Sequence, residues 1–188
     1  ISGFGIRDIS LIDDYLYLSY TNELKEDCFN TSVVRAKFEI NNLKFQNFFE
    51  PGECVKRENK YGLFTPYISG GRIINYIEDK ILLTTGSFQY RTLAQDKKNV
   101  FGKIISINKA NKEYEIISIG HRNPQGLYFD EINNVLISTE HGPLGGDEIN
   151  IIQNPGKEIK NFGWPISSYG FHYTDHPSNI DGSAPLHK

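Results

Sequence analysis

The sequence contains no methionine, even at position 1, and only one tryptophan and two cysteines in 188 residues. The missing initiator leads to the expectation that Ile1 follows processing or a longer preceding segment. There is no apolar run of about eighteen residues, so no helical membrane span is expected. The opening ISGFGIRDIS lacks the charged and apolar regions of a signal peptide. Positive charge is not in excess: 20 Lys and Arg face 23 Asp and Glu, a formal net charge of −3. Nucleic-acid binding normally needs a basic face, so no such partner is expected. No segment repeats apolar residues at a helical period either.

What is present is alternation, with β-branched and aromatic clusters between turn residues. Strands are expected near 7–12, 14–20, 31–40, 44–49, 71–77, 79–86, 101–108, 114–119, 125–130, 133–139 and 147–153. The chain is therefore all-β, and 38% hydrophobic content suffices for one domain with a core. The strands recur in units. DDYLYLSYTN, EDKILLTTGS and INNVLISTEH each run from a turn through an apolar strand to Ser/Thr and a polar loop. Leu16, Ile81 and Val135 align. About four short strands in each of three units, near 7–49, 71–119 and 125–188, is the size of a β-propeller blade. An antiparallel sandwich is the alternative, since its strands also recur at short spacing. Propellers close with about four to eight blades, so three units suggest roughly half of one, with the remainder expected in the full-length protein.

The polar loops carry the chemistry. Loops at one end of a propeller converge on its channel. Convergence would place Arg72, His121, Arg122, Asn123, His141 and Asp147 in one region, rich in cations. Such a pocket suits a carboxylated ligand, because guanidinium pairs bidentately with carboxylate. The competing reading makes Arg122-Asn123-Pro124 a turn brace. No phosphate cradle is expected, because Gly145-Gly146 is followed by neither Lys nor Ser/Thr. Asp147 and Glu148 are adjacent carboxylates of a kind that suits calcium, though not at EF-hand spacing. His172 and His176 lie on a Gly/Pro/Ser-rich segment and are not expected to bind zinc, since that spacing needs a helix. Asn30-Thr31-Ser32 matches a glycosylation sequon, as many chance triplets do. Cys28 and Cys54 flank two expected strands. They form either a disulfide of an oxidising compartment or two unrelated thiols.

Taken together, SGGRI at 69–73, GHRNPQGLYFD at 120–130, LISTEHGP at 136–143, DEINII at 147–152 and NFGWP at 161–165 form an ordered set of motifs. The set resembles the soluble quinoprotein sugar dehydrogenases, the glucose/sorbosone dehydrogenase family. The resemblance implies a six-bladed β-propeller that binds pyrroloquinoline quinone (PQQ) and Ca²⁺ at the channel mouth. It implies oxidation of a sugar or other small-molecule alcohol by hydride transfer to the quinone, with no indication of the electron acceptor. It also implies export to the periplasm or beyond, which favours a Cys28–Cys54 disulfide.

By the same resemblance, Arg122 and Asn123 contact the cofactor, and Gly142 and Pro143 offer carbonyls to its calcium. Asp147 would orient the catalytic base, and Glu148 would serve a structural calcium. One departure stands out. The family places a proton-abstracting histidine a few residues before the Gly-Arg, where this chain has Tyr67, Ile68 and Ser69. The family's supporting Gln is also displaced: the loop here is Gly86-Ser87-Phe88, with Gln89 one place late. Ile cannot accept a proton, and Tyr67 could do so only with its pKa far below about 10. Impaired sugar oxidation is expected, with a non-catalytic propeller that binds a ligand as the alternative.

Overall fold

The computed structural model describes residues 5–58, 64–77 and 79–170. His172 and His176 lie outside them. The described residues are all-β apart from one short 3-10 turn, Arg91–Gln95. β1 (Ile6–Ile12), β2 (Tyr15–Lys25), β3 (Cys28–Lys37) and β4 (Gln46–Phe49) form one antiparallel sheet in sequence order. β5 (Gly70–Asn75), β6 (Lys80–Thr85), β7 (Lys103–Asn108) and β8 (Tyr114–Ile119) form the second. β9 (Pro124–Asp130), β10 (Val135–Glu140) and β11 (Glu148–Gln153) form the third, and β12 (Lys160–Asn161) returns to pair in parallel with β8.

The first strands of the three sheets are neighbours: β5 packs beside β1 on one side and β9 on the other. Sheets stacked face to face around their first strands are the blades of a β-propeller. One core joins the first and second sheets, with Tyr17, Phe29, Val33 and Phe48 against Ile81, Leu83, Ile105 and Ile107. A second joins the second and third, with Leu82, Ile104 and Ile117 against Leu136 and Ile152. The middle sheet is thus buried on both faces. That explains why KILLTT and KIISIN are continuous apolar runs rather than alternating ones. The outward faces of the flanking sheets expose Ile9 and Leu11 on β1, and Ile149 and Ile151 on β11.

One expectation needs correction. SYTNELKED is not a polar loop: β2 runs on to Lys25, and Thr21, Asn22 and Glu23 pair with Thr31, Asn30 and Phe29. The buried polar side chains here, Thr21 on β2 and its neighbours Thr31 and Asn30 on β3, are hydrogen-bonded, so they do not disrupt the ladder. Thr31 Oγ1 donates to Ser69 O at 2.7 Å and Asn30 Nδ2 donates to Pro51 O at 2.8 Å. The same contacts close the sequon, because Asn30 is fully buried and cannot present its amide to a glycosyl donor.

Cys28 and Cys54 are bonded to each other across a 26-residue separation. The bond fastens the 50–55 loop to β3 beside the Phe29–Val55 bridge. Closing a loop of that size removes conformational freedom from the unfolded chain, worth about 3 kcal/mol. The double variant Cys28→Ala, Cys54→Ala is expected to lose stability of that order in urea denaturation. Adding a reductant to the wild type should reproduce the loss, and no change in the midpoint in either experiment would contradict the assignment.

Candidate functional site

A cleft of ≈ 750 Å³ opens where the loops entering β5 and β9 meet the loop between β10 and β11. Tyr67, Ile68 and Gln89 line one wall; Arg122, Asn123 and Gln125 line another; His141 to Gly145 and Asp147 line the third.

The Arg122 wall is set by the backbone around it. Gly120 is left-handed (φ 77°), and a Cβ there would sit 2.3 Å from Asn161 Oδ1, so only glycine fits the turn. The Arg122 N–H donates to Glu140 Oε2 at 2.8 Å and the Asn123 N–H to the same oxygen at 3.3 Å. The Arg122 guanidinium donates to His141 O at 2.9 Å and lies 5.6 Å from the Trp164 ring centroid, within cation–π range. Asn123 Oδ1 accepts from Gly70 N–H at 3.1 Å, so the Nδ2 end of the amide is what Asn123 can offer a ligand.

In the third wall, Gly142 is packed so closely that a Cβ would lie 1.8 Å from Gly146 O. The Asp147 carboxylate lies 3.2 Å from His141 Nδ1 and accepts the Gly142 N–H at 3.2 Å. The Pro143 carbonyl already accepts the Gly146 N–H at 2.8 Å. Glu148 lies outside this cleft. It lines a smaller adjoining one with Glu140 and Asp147. Burial, and then the charge of Glu140, push its carboxyl up to about 7. Gly142 and Pro143 are therefore near each other, while Glu148 is in a separate place. Among the described residues no three acidic, His or Cys side chains are grouped to hold a metal ion.

In the first wall, Tyr67 is 57% exposed and Ile68 is buried, and both face the cleft. Phe88 and Gln89 are successive left-handed residues, with φ 50° and 72°. That double turn sends Phe88 into the core and leaves Gln89 lining the cleft. Gln89 Oε1 and Thr65 Oγ1 are buried there without a hydrogen-bond partner. A buried polar atom without a partner is costly unless something meets it.

The expected cation-rich cluster is smaller than the loops suggested. Arg72 does not line the cleft: its guanidinium donates to Asp8 at 2.8 Å and to Gln125 O at 2.9 Å, tying β5 to β1 and to the start of β9. His121 is fully buried, with Nε2 2.7 Å from Ser118 Oγ and Nδ1 3.0 Å from Glu140 Oε1. Arg122, Asn123, His141 and Asp147 do come together.

Thr65, Glu140 and Trp164 were not singled out from the sequence. Glu140 left a signal there, since it shares the parity of Leu136 and Ser138, which β10 buries. A charged residue at a core parity needs a buried partner.

A family model described as glucose/sorbosone dehydrogenase matches residues 5–185. The aldose sugar dehydrogenase YliI of Escherichia coli is 35% identical over 188 residues, covering 90% of this chain and 48% of that protein. The crystal structure of the soluble aldose sugar dehydrogenase of E. coli in its apo form superposes with a TM-score of 0.73 at 26% identity, over 98% of this chain and 57% of that one. The PQQ-bound form of aldose sugar dehydrogenase from Streptomyces coelicolor shares the fold, with a TM-score of 0.62 at 24% identity over 98% and 52% of the two chains. The chain spans about half the length of the curated relatives it matches. It belongs to the glucose/sorbosone dehydrogenase family.

Proposed function

We infer that the cleft is a PQQ site of a sugar dehydrogenase in which proton abstraction is impaired. The observation that carries the reading is the cleft's own chemistry. The Arg122 guanidinium, anchored on His141 O, and the Asn123 amide share the cleft with two buried oxygens, Gln89 Oε1 and Thr65 Oγ1, that lack partners. A planar, carboxylated, hydrogen-bonding ligand satisfies both sets. Bound there, the quinone would supply a hydride acceptor for the carbinol carbon of an aldose or similar alcohol.

This chain's residues would do the rest. Arg122 and Asn123 would hold the cofactor. The Gly142 and Pro143 carbonyls would face its Ca²⁺, and Glu148 would belong to a second calcium site, where a cation would restore the ionised carboxylate. Asp147 would steady His141 and the 142 backbone. In the first wall Ile68 cannot take the substrate's hydroxyl proton, and Tyr67 would do so only with its pKa far below about 10. Further blades would cover the exposed apolar faces of β1 and β11, and an exported location agrees with the disulfide.

Ile68 also favours a second reading, a non-catalytic propeller that binds its ligand without turning it over. Titration with PQQ and Ca²⁺, followed by the quinone's absorbance, is expected to saturate at micromolar cofactor. Arg122→Ala should weaken binding by on the order of 10²-fold, the worth of a charge-assisted pair. No saturable binding by the wild type would end the quinone reading. Saturable binding without aldose oxidation would select the non-catalytic one.

A further inference from the structure

We propose that Glu140 is a positioning residue, whose buried carboxylate fixes the Arg122–Asn123 dipeptide in the orientation that presents both side chains to the ligand. The proposal rests on the reading of the cleft given above. All four backbone groups of the dipeptide are hydrogen-bonded. The Arg122 carbonyl accepts Ser87 N–H at 2.9 Å and the Asn123 carbonyl accepts His141 N–H at 3.1 Å. Both N–H groups donate to one oxygen, Glu140 Oε2. Two other segments, at 87 and at 140–141, therefore fix the dipeptide, and the Glu140 side chain is the one partner among these that is not a backbone group.

The carboxylate is itself held rigidly. Glu140 is 5% exposed, and its Oε1 accepts Asn150 Nδ2–H at 2.9 Å and lies 3.0 Å from His121 Nδ1. Ser118, His121 and Glu140 have the order and distances of a nucleophile relay. Ser118 and His121 are fully buried, however, so no substrate reaches the hydroxyl. The network supports the carboxylate and does no chemistry of its own. Its effect passes to the cleft through the dipeptide: with the backbone fixed, the Arg122 guanidinium falls between His141 O and the Trp164 ring. Backbone groups that order a ligand-binding side chain behave like the outer partners of a metal ligand, where loss costs about 10–100-fold in affinity.

A role confined to core stability predicts that every Glu140 variant loses stability while its folded fraction binds normally. Positioning predicts a dependence on the acceptor. Glu140→Gln keeps an oxygen opposite the two N–H groups, with His121 and Asn150 free to reverse their donor and acceptor ends. Glu140→Asp withdraws the oxygen by one methylene, and Glu140→Leu removes it. All three are compared with the wild type at a temperature where circular dichroism shows them folded. PQQ affinity in the presence of Ca²⁺ is expected to fall about 10–100-fold in Glu140→Asp and Glu140→Leu, and to stay within about threefold in Glu140→Gln.

The sole tryptophan of the chain gives a readout without ligand. Displacing Arg122 from Trp164 should change the emission of Glu140→Asp and Glu140→Leu, but not of Glu140→Gln. Wild-type affinity and unchanged emission in folded Glu140→Asp would overturn the proposal, as would loss of fold in both Asp and Leu variants. If the wild type binds no quinone, the cofactor reading fails. The emission series then decides the positioning role alone.

Discussion

Replacing Ile68 with histidine is expected to raise dye-linked aldose oxidation by about 10²–10⁴-fold, the usual contribution of a general base. The position is prepared for such a residue. Ile68 is 3% exposed and faces the cleft. Its N–H donates to Thr65 O at 3.1 Å and its carbonyl accepts Phe88 N–H at 2.8 Å, so the direction of its Cβ is fixed. An imidazole there would share a wall with Thr65 Oγ1 and Gln89 Oε1, both lacking partners and able to orient one ring nitrogen. Burial disfavours the imidazolium, which keeps the ring in the basic form needed to accept a proton. Tyr67→His places the ring at a more exposed position and is expected to gain less. Cofactor affinity is measured alongside initial rates, so that a change in binding is not mistaken for one in chemistry. If both variants hold the quinone as the wild type does and neither gains rate, the missing base does not belong at 67 or 68. The non-catalytic reading then stands.

The parts of this molecule that were legible in its sequence are those set by local pattern. Turn residues and alternation located the strands, because half-buried sheets enforce period two. Two apolar runs, around Leu82 and Ile105, were read as strands, but only packing showed that both faces of their sheet are covered. The extension of β2 through Thr21 and Asn22 was hidden because its polar side chains find partners in other segments. Arg72 was misassigned for a related reason. Proximity of its loop to the cleft says nothing about the Asp8 carboxylate, 64 residues away, that claims its guanidinium. The turn at Phe88 and Gln89 left no mark at all, since two left-handed residues other than glycine have no compositional signature. It nevertheless determines that Gln89 lines the cleft.

The second large effect concerns Lys103, and Lys103→Met is expected to destabilise the protein by about 3 kcal/mol, lowering Tm by roughly 6–12 °C for a chain of this size. Its side chain is fully buried in the middle sheet. The ammonium donates to Leu93 O at 2.8 Å, Ala94 O at 3.1 Å and Phe101 O at 2.5 Å. A thioether fills much of the volume but donates nothing, so three inward-facing carbonyls lose the ammonium as a donor. The damage reaches the cleft, because Ala94 O also accepts the Gly120 N–H at 2.9 Å, at the start of the Arg122 turn. Reduced PQQ affinity in the variant should therefore accompany the lower Tm. The pH dependence separates the charge from the packing. Burial pulls the Lys103 pKa down to about 8, with Asp96 opposing, from an ordinary 10.5. Between about pH 8 and 10.5 the unfolded chain holds a proton that the folded chain has released. This residue's contribution to stability therefore rises with pH across that window. The methionine variant lacks that rise, so the stability gap between the two proteins should widen from pH 8 to 10. A gap that stays constant would show that burial does not penalise the ammonium, and that the three carbonyls fully compensate for the water it lost.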